Sequence, residues 1–77
     1  MDKEDLDDAL RIATELMNKN PRNAYGEQTL GFINKDMGAL ASAEKHFARA
    51  YELFPSEDNE KNLTAIRKAL EPLRTSR

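Results

Sequence analysis

Residues 24–55 read AYGEQTLGFINKDMGALASAEKHFARAYELFP. Apolar residues recur in them at three- and four-residue spacing on both sides of Gly38, which is the pattern of two helices. Gly38 can adopt the left-handed conformation that ends a helix, and Pro55 cannot continue one. We therefore predict two antiparallel helices, from about Ala24 to Asp36, with Asn23 as N-cap, and from about Ala39 to Phe54.

Small and large side chains alternate where these two helices should touch. Gly31 and Ala43 are small, so the helix backbones can approach closely, and Phe47 is large enough to fill the remaining gap. This pattern predicts Phe47 in the core. The core stripes are predicted to contain Leu30, Ile33 and Met37 on one helix, and Leu40, Ala43, Phe47, Ala50 or Tyr51, and Phe54 on the other.

A further helix is predicted on each side of this pair. The first runs from Met1 to about Asn20 and ends before Pro21. The last is predicted to be capped by Ser56, to run from about Glu57 to Glu71, and to end at Pro72 with a frayed tail, residues 73–77. Its apolar stripe comprises Leu63, Ile66, Leu70 and Leu73. The fold class is therefore all-α, with about four antiparallel helices.

The order of residues around the central pair resembles the tetratricopeptide-repeat family. Leu30-Gly31 is followed by an alanine, an aromatic residue, a second alanine and a closing proline, in the family's order. Small and apolar residues and a proline stand at the corresponding positions earlier in the chain, displaced by the family's repeat length of 34 residues. The matched positions are Ala9, Ala13, Leu16 and Pro21 in the first copy and Ala43, Phe47, Ala50 and Pro55 in the second.

The resemblance implies a right-handed array of helical hairpins, a fragment of an α-solenoid. Residues 1–22 would form a half repeat of the second-helix type, residues 23–56 a full repeat, and residues 57–77 a capping helix with its tail. Glu27 and Asn34 stand where the family has aromatic residues. A helical hairpin outside the family is the alternative.

The resemblance also implies a site. In the family, the outer side of the first helix of a repeat lines a concave groove for partner segments, so Tyr25 and Phe32 are expected to grip an apolar or aromatic side chain. The alternative is that Phe32 belongs to the core. The implied groove residues are Tyr25, Gln28, Thr29, Phe32, Lys35 and Asp36. A carboxylate clamp of the kind that some members use is not expected, since Gln28, Thr29 and Phe32 stand where it needs lysine and asparagine.

The first helix carries two adjoining apolar stripes, and a helix with two stripes needs two neighbours. One stripe contains Ala9, Ile12 and Leu16. In a repeat array the helix that would cover one side lies before Met1, so one face is expected to lack cover. The other stripe is the predicted self-association face: Leu6, Leu10, Ala13 and Met17.

Composition excludes several classes of function. The chain has 77 residues, no cysteine and a net charge of −2, which argues against disulfides, a thiol nucleophile and a nucleic-acid binder. There is no apolar run long enough for a membrane span, and the acidic start MDKEDLDD is unlike a signal peptide. We predict a cytoplasmic location, with no membrane insertion.

No pattern of catalysis is found. His46 is the only histidine, and no acid lies at helical spacing from it, so an ordinary surface histidine is expected. Phosphate loops, zinc spacings and calcium loops are absent from the sequence. We therefore expect a protein that is not an enzyme and has no cofactor or metal.

The function predicted first is a protein-interaction module or adaptor that binds a protein or peptide segment. The second hypothesis is a self-associating scaffold, in which a homodimer supplies the helix neighbour that each chain lacks. A third is a small enzyme regulator or export chaperone whose groove covers one client segment.

Overall fold

The structure is a computed structural model and describes residues 3–75. Local chemistry at the turns of the chain sets where the helices begin and end. The helices are α1 (Lys3–Lys19), α2 (Ala24–Asp36), α3 (Leu40–Leu53) and α4 (Glu57–Thr75). No strand occurs within the described range. The all-α class with four helices is therefore confirmed. The predicted helix start at Met1 and the last two residues of the tail lie outside the described residues.

Three predicted end signals are present. Asn23 Oδ1 accepts a hydrogen bond from the Gly26 backbone N–H at 3.0 Å, which caps α2. Ser56 Oγ accepts one from the Asn59 backbone N–H at 3.1 Å, which caps α4. Gly38 has φ +82° and allows the tight turn between α2 and α3. These short-range contacts confirm the caps as predicted.

The contacts between helices are mainly those of consecutive helices, with the most extensive between α2 and α3, and the molecule measures 40 × 30 × 17 Å along its principal axes. Two hydrophobic clusters result. The first joins α1 to α2 and contains Ala13, Leu30 and Ile33, with Leu6, Ala9, Leu10 and Met17 around them. The second joins α3 to α4 and contains Ala43, Phe47, Leu63 and Ile66, with Leu40, Ala48 and Tyr51 around them.

The ring of Phe47 connects α2 to α3. A Cβ atom added to Gly31 would lie 2.6 Å from two carbons of this ring, so only glycine allows the observed approach. Phe47 is 2% exposed, and Phe32 meets it edge-on with ring centroids 5.0 Å apart. The predicted role of Gly31 and the predicted burial of Phe47 are both confirmed.

Three predicted core residues are exposed instead: Met37, Phe54 and Leu73. Met37 and Phe54 are the C-cap residues of α2 and α3, and Phe54 has an extended backbone (φ −145°, ψ 91°), so the helical stripe no longer applies to it. Leu73 lies in the last turn of α4, which at 19 residues is longer than the 14 residues of α3. All three predictions extended a helical stripe past the point where a neighbouring helix covers it.

The stripe predicted as the self-association face packs against α2. Ala13 is fully buried, and the half-buried Leu6, Leu10 and Met17 pack around Leu30 and Ile33 of α2. Because α2 covers much of this stripe, it offers less free surface than predicted, and its role in self-association stays a prediction. The uncovered apolar side chains of α1 belong to the other stripe and are Ile12 and Leu16.

The prediction that Pro72 ends α4 is also wrong. The helix continues to residue 75 with Pro72 inside it, although proline lacks the N–H that the Lys68 carbonyl would accept. The final turn is held from α3. The Arg74 guanidinium donates two hydrogen bonds to the Glu44 carboxylate, and Arg67 Nε donates a third at 3.2 Å.

Glu44 therefore joins α3 to α4 at two turns of α4. The hydrogen bond from Arg74 lowers the pKa of Glu44, against an opposing effect of desolvation, and the hydrogen bond from Arg67 lowers it further. Because the folded protein favours the ionised carboxylate, Glu44 stabilises the fold above its ordinary pKa, and this stabilisation is lost as pH falls through the lowered value.

Two glycine substitutions on α2 provide a matched test of the α2–α3 contact. Gly31→Ala places a methyl group against rigid ring carbons, so we expect the free energy of unfolding to fall by about 1–2 kcal/mol, after the gain in helix propensity. The Cβ of Gly26→Ala would meet the flexible Met17 side chain at Sδ, and we expect a change within about 0.5 kcal/mol. Urea denaturation measures both variants, and equal effects would contradict the rigid contact.

The hydrogen bonds from Arg67 and Arg74 to the Glu44 carboxylate are tested by Glu44→Gln. We expect this variant to be less stable than wild type at neutral pH, and the difference to disappear as the solution is acidified to about pH 3. Glu52→Gln removes an exposed carboxylate from the same helix and controls for the lost charge. Urea denaturation across this pH range makes the comparison, and a difference that persists in acid would show that Glu44 does not act through its charge.

Candidate functional site

The outer face of α2 carries all six predicted groove residues. Tyr25 is 69% exposed and Phe32 41%, while Lys35 and Asp36 are exposed and Gln28 and Thr29 are half-buried. Tyr25 and Phe32 are seven residues apart, which places them about 10 Å apart along the helix axis on the same side. The opposite positions of α2 are covered, because Leu30 and Ile33 are buried against α1 and Gly31 against α3.

Phe32 is both packed and exposed. Its ring forms a T-shaped pair with the buried Phe47 ring, at an interplanar angle of 79°, and the rest of its surface is exposed. A ring held in this way has few accessible orientations. It would therefore lose little further conformational entropy if a partner bound to it. Phe32 is therefore neither a fully buried core residue nor a free one.

Tyr25 lies in a cleft between the start of α2 and the turn from α3 to α4. The cleft has a volume of about 230 Å³. Phe54, which is 62% exposed, is one of the residues that line it. The complete lining is Ala24, Tyr25, Gln28, Phe54, Ser56, Asp58 and Asn59.

Asn59 holds the cleft in shape. It is 5% exposed, and its Nδ2 donates hydrogen bonds to the carbonyl oxygens of Phe54 at 2.8 Å and Ala50 at 3.4 Å. These bonds satisfy carbonyls at the end of α3 and tie the α3–α4 turn to the first turn of α4. Phe54 is thereby kept at the edge of the cleft.

The structure thus divides the predicted groove into two parts. Tyr25 and Gln28 line the cleft together with residues from the α3–α4 turn. Thr29, Phe32, Lys35 and Asp36 lie outside its lining, and the Thr29 hydroxyl donates to the Tyr25 carbonyl at 2.9 Å. Phe54 and Asn59 were missed as site residues. The proline after Phe54 was the available indication, since the residue before a proline leaves helical geometry.

His46 is not the ordinary surface histidine that was expected. Its Nδ1 lies 2.7 Å from Glu27 Oε2, and the Glu27 side chain is largely buried between α2 and α3. The acid is 19 residues away on another helix, so spacing along one helix could not reveal it. Within residues 3–75, Glu27 is the only hydrogen-bond partner of the imidazole. The pair joins two helices and includes no nucleophile.

A wider depression of about 420 Å³ runs along the outer surface of α4. It is lined by Thr64, Arg67, Lys68, Glu71 and Arg74. The two arginines donate hydrogen bonds to Glu44 and so serve the α3–α4 contact described above. This depression was not predicted and contains none of the predicted groove residues.

The described part of the chain contains no group of three or more His, Cys, Asp or Glu residues that could hold a metal ion. Within residues 3–75, every helix is too short or too polar to traverse a lipid bilayer.

Comparisons with family models, with curated proteins and with solved structures find no match for this chain.

Proposed function

We propose that this protein is an interaction module that binds a segment of a partner protein along the outer face of α2. The observation that carries the proposal is the pair of exposed aromatic side chains, Tyr25 and Phe32, on a side of α2 that its contacts with α1 and α3 leave partly open. Aromatic residues in such positions supply large contact areas to a partner at a small cost in conformational entropy.

The finer architecture is part of the same proposal. A closed bundle would pack its first helix against its last, whereas here the main contacts join consecutive helices and one dimension is only 17 Å. Sequential packing of this kind supports an open array of the tetratricopeptide type, in which α1 is a half repeat, α2 and α3 a full repeat, and α4 a cap. The alternative is an unrelated helical hairpin with one helix added on each side.

The proposed contact is modest. A face of one helix and one cleft bury less surface than a standard protein–protein interface, so the affinity for a single segment is weak to moderate unless linkage or repetition increases it. We further propose that the protein binds its partner without catalysing a reaction and without a cofactor. The partner is a protein and not a nucleic acid, and the proposed location is the cytoplasm. A regulator or an export chaperone would use the same face and differ only in its client.

Self-association is the second candidate function. It is favoured by Ile12 and Leu16, two exposed apolar residues one turn apart on α1. A symmetric dimer through this stripe would cover both side chains of each chain. The face differs from the predicted one, and it leaves the outer face of α2 free.

The first candidate is tested with a displayed library of random peptides selected on the immobilised protein. We expect enriched peptides to lose at least about tenfold in affinity for the Tyr25→Ser, Phe32→Leu double variant, because two aromatic contacts are removed. Leucine at position 32 keeps apolar contact with Phe47. Leu73→Ser, an exposed apolar residue on α4, is the control and should bind as wild type does. Equal binding to all three proteins would reject the α2 face.

The second candidate is tested by sedimentation equilibrium over a wide range of concentrations. A self-associating chain would exceed its monomer mass of 8.8 kDa at high concentration, and Ile12→Asp would restore the monomer by placing a charge in the buried stripe. Leu73→Asp adds the same charge elsewhere and should leave the association unchanged. A monomer at every concentration would remove this candidate.

A further inference from the structure

The cleft at the start of α2 has an unusual combination of walls. Two aromatic side chains that are more than half exposed, Tyr25 in α2 and Phe54 in the α3–α4 turn, line the same small space. At about 230 Å³ the cleft is smaller than the roughly 300–1,000 Å³ of small-molecule sites, so it has room for a single side chain.

The lining of the cleft carries a single charge, and it is negative. This charge is the Asp58 carboxylate, and no lysine, arginine or histidine belongs to the lining. Glu57 and Glu60 lie in the same first turn of α4, where Glu57 pairs with Lys61 at 3.1 Å. The Asp58 carboxylate repels an anionic group of a partner from the cleft and attracts a cation.

The buried amide of Asn59 adds an acceptor to this lining. Its Nδ2 hydrogens are engaged by the Phe54 and Ala50 carbonyls, so Oδ1 is the side-chain atom left to accept a hydrogen bond. An amide oxygen accepts hydrogen bonds and cannot donate them. The cleft therefore offers a ligand two hydrogen-bond acceptors, the Asp58 carboxylate and Asn59 Oδ1. A ligand that fits them must carry hydrogen-bond donors.

We propose that this cleft binds the guanidinium group of an arginine side chain in the partner segment. A planar guanidinium stacks on aromatic faces and presents five N–H donors, which fits rings at Tyr25 and Phe54 together with acceptors at Asp58 and Asn59. The inference rests on the proposed function and specifies the chemistry of the segment that lies along α2.

Other side chains fit less well. An apolar side chain would cover the aromatic rings but would also remove water from the Asp58 carboxylate and from Asn59 Oδ1 without replacing its hydrogen bonds. A glutamate would place like charges together. Lysine has the required sign, but its compact ammonium group cannot stack on a ring and bridge two acceptors as a planar fork does.

The test uses small probes and the intact chain. N-acetyl-arginine methylamide is titrated into isotope-labelled protein at millimolar concentrations, and NMR follows the backbone amides and the Asn59 side-chain amide. We expect saturable shifts at Tyr25, Phe54 and Asn59, and smaller shifts with the norleucine and glutamate analogues. In Asp58→Asn the affinity for the arginine probe should fall about three- to tenfold, because one charge-assisted contact is lost.

Asp7→Asn removes an exposed carboxylate of α1, outside both the cleft and the α2 face, and should bind the probe as wild type does. Shifts of equal size with the norleucine probe, a preference for glutamate, or no change of affinity in Asp58→Asn would each overturn the arginine assignment. These outcomes are separate from the peptide selection on the α2 face. Selected peptides that need Phe32 but contain no essential arginine would leave the proposed function intact and refute this inference alone.

Discussion

The contact between the Phe47 ring and the backbone of Gly31 is the constraint on which the remaining packing depends. The hydrophobic residues form two separate clusters, one between α1 and α2 and one between α3 and α4. Phe47 belongs to the second cluster and rests on a helix of the first. A larger residue at position 31 would separate the two halves, and neither half is large enough to bury a core alone.

This arrangement also determines which surface is left for a partner. α2 has α1 on one flank and α3 on another, so its third side is the one that stays open. Phe32 lies at the border, with one edge on Phe47 and the rest exposed. The same aromatic contact that joins the helices therefore orients the central residue of the candidate binding face, and binding and packing are coupled at that position.

The helix ends and the size match between α2 and α3 were predictable from the sequence, and the polar pairs between helices were not. The Asn23 cap, the Gly38 turn and the Gly31–Phe47 contact follow from local chemistry and from side-chain size. Periodicity alone misplaced Phe54, because a stripe does not reveal where its helix stops being covered. The partners of Glu27 and Glu44 lie 19 or more residues away, and such pairs appear only once the helices are placed. At the candidate site, the exposure of Tyr25 and Phe32 agrees with the expected outer face of α2, whose role in binding stays a prediction. The cleft with Asn59 was not predicted, because its residues come from different parts of the chain.

The turn at Gly38 has a consequence for the chemistry of the chain. Its φ is +82°, and an added Cβ would meet no atom within 4 Å, so the limit on this position comes from handedness and not from space. A D-amino acid prefers the mirror-image conformation that Gly38 already adopts. D-alanine at this position would keep every contact of the fold, narrow the conformations of the unfolded chain, and so stabilise the protein through its denatured state.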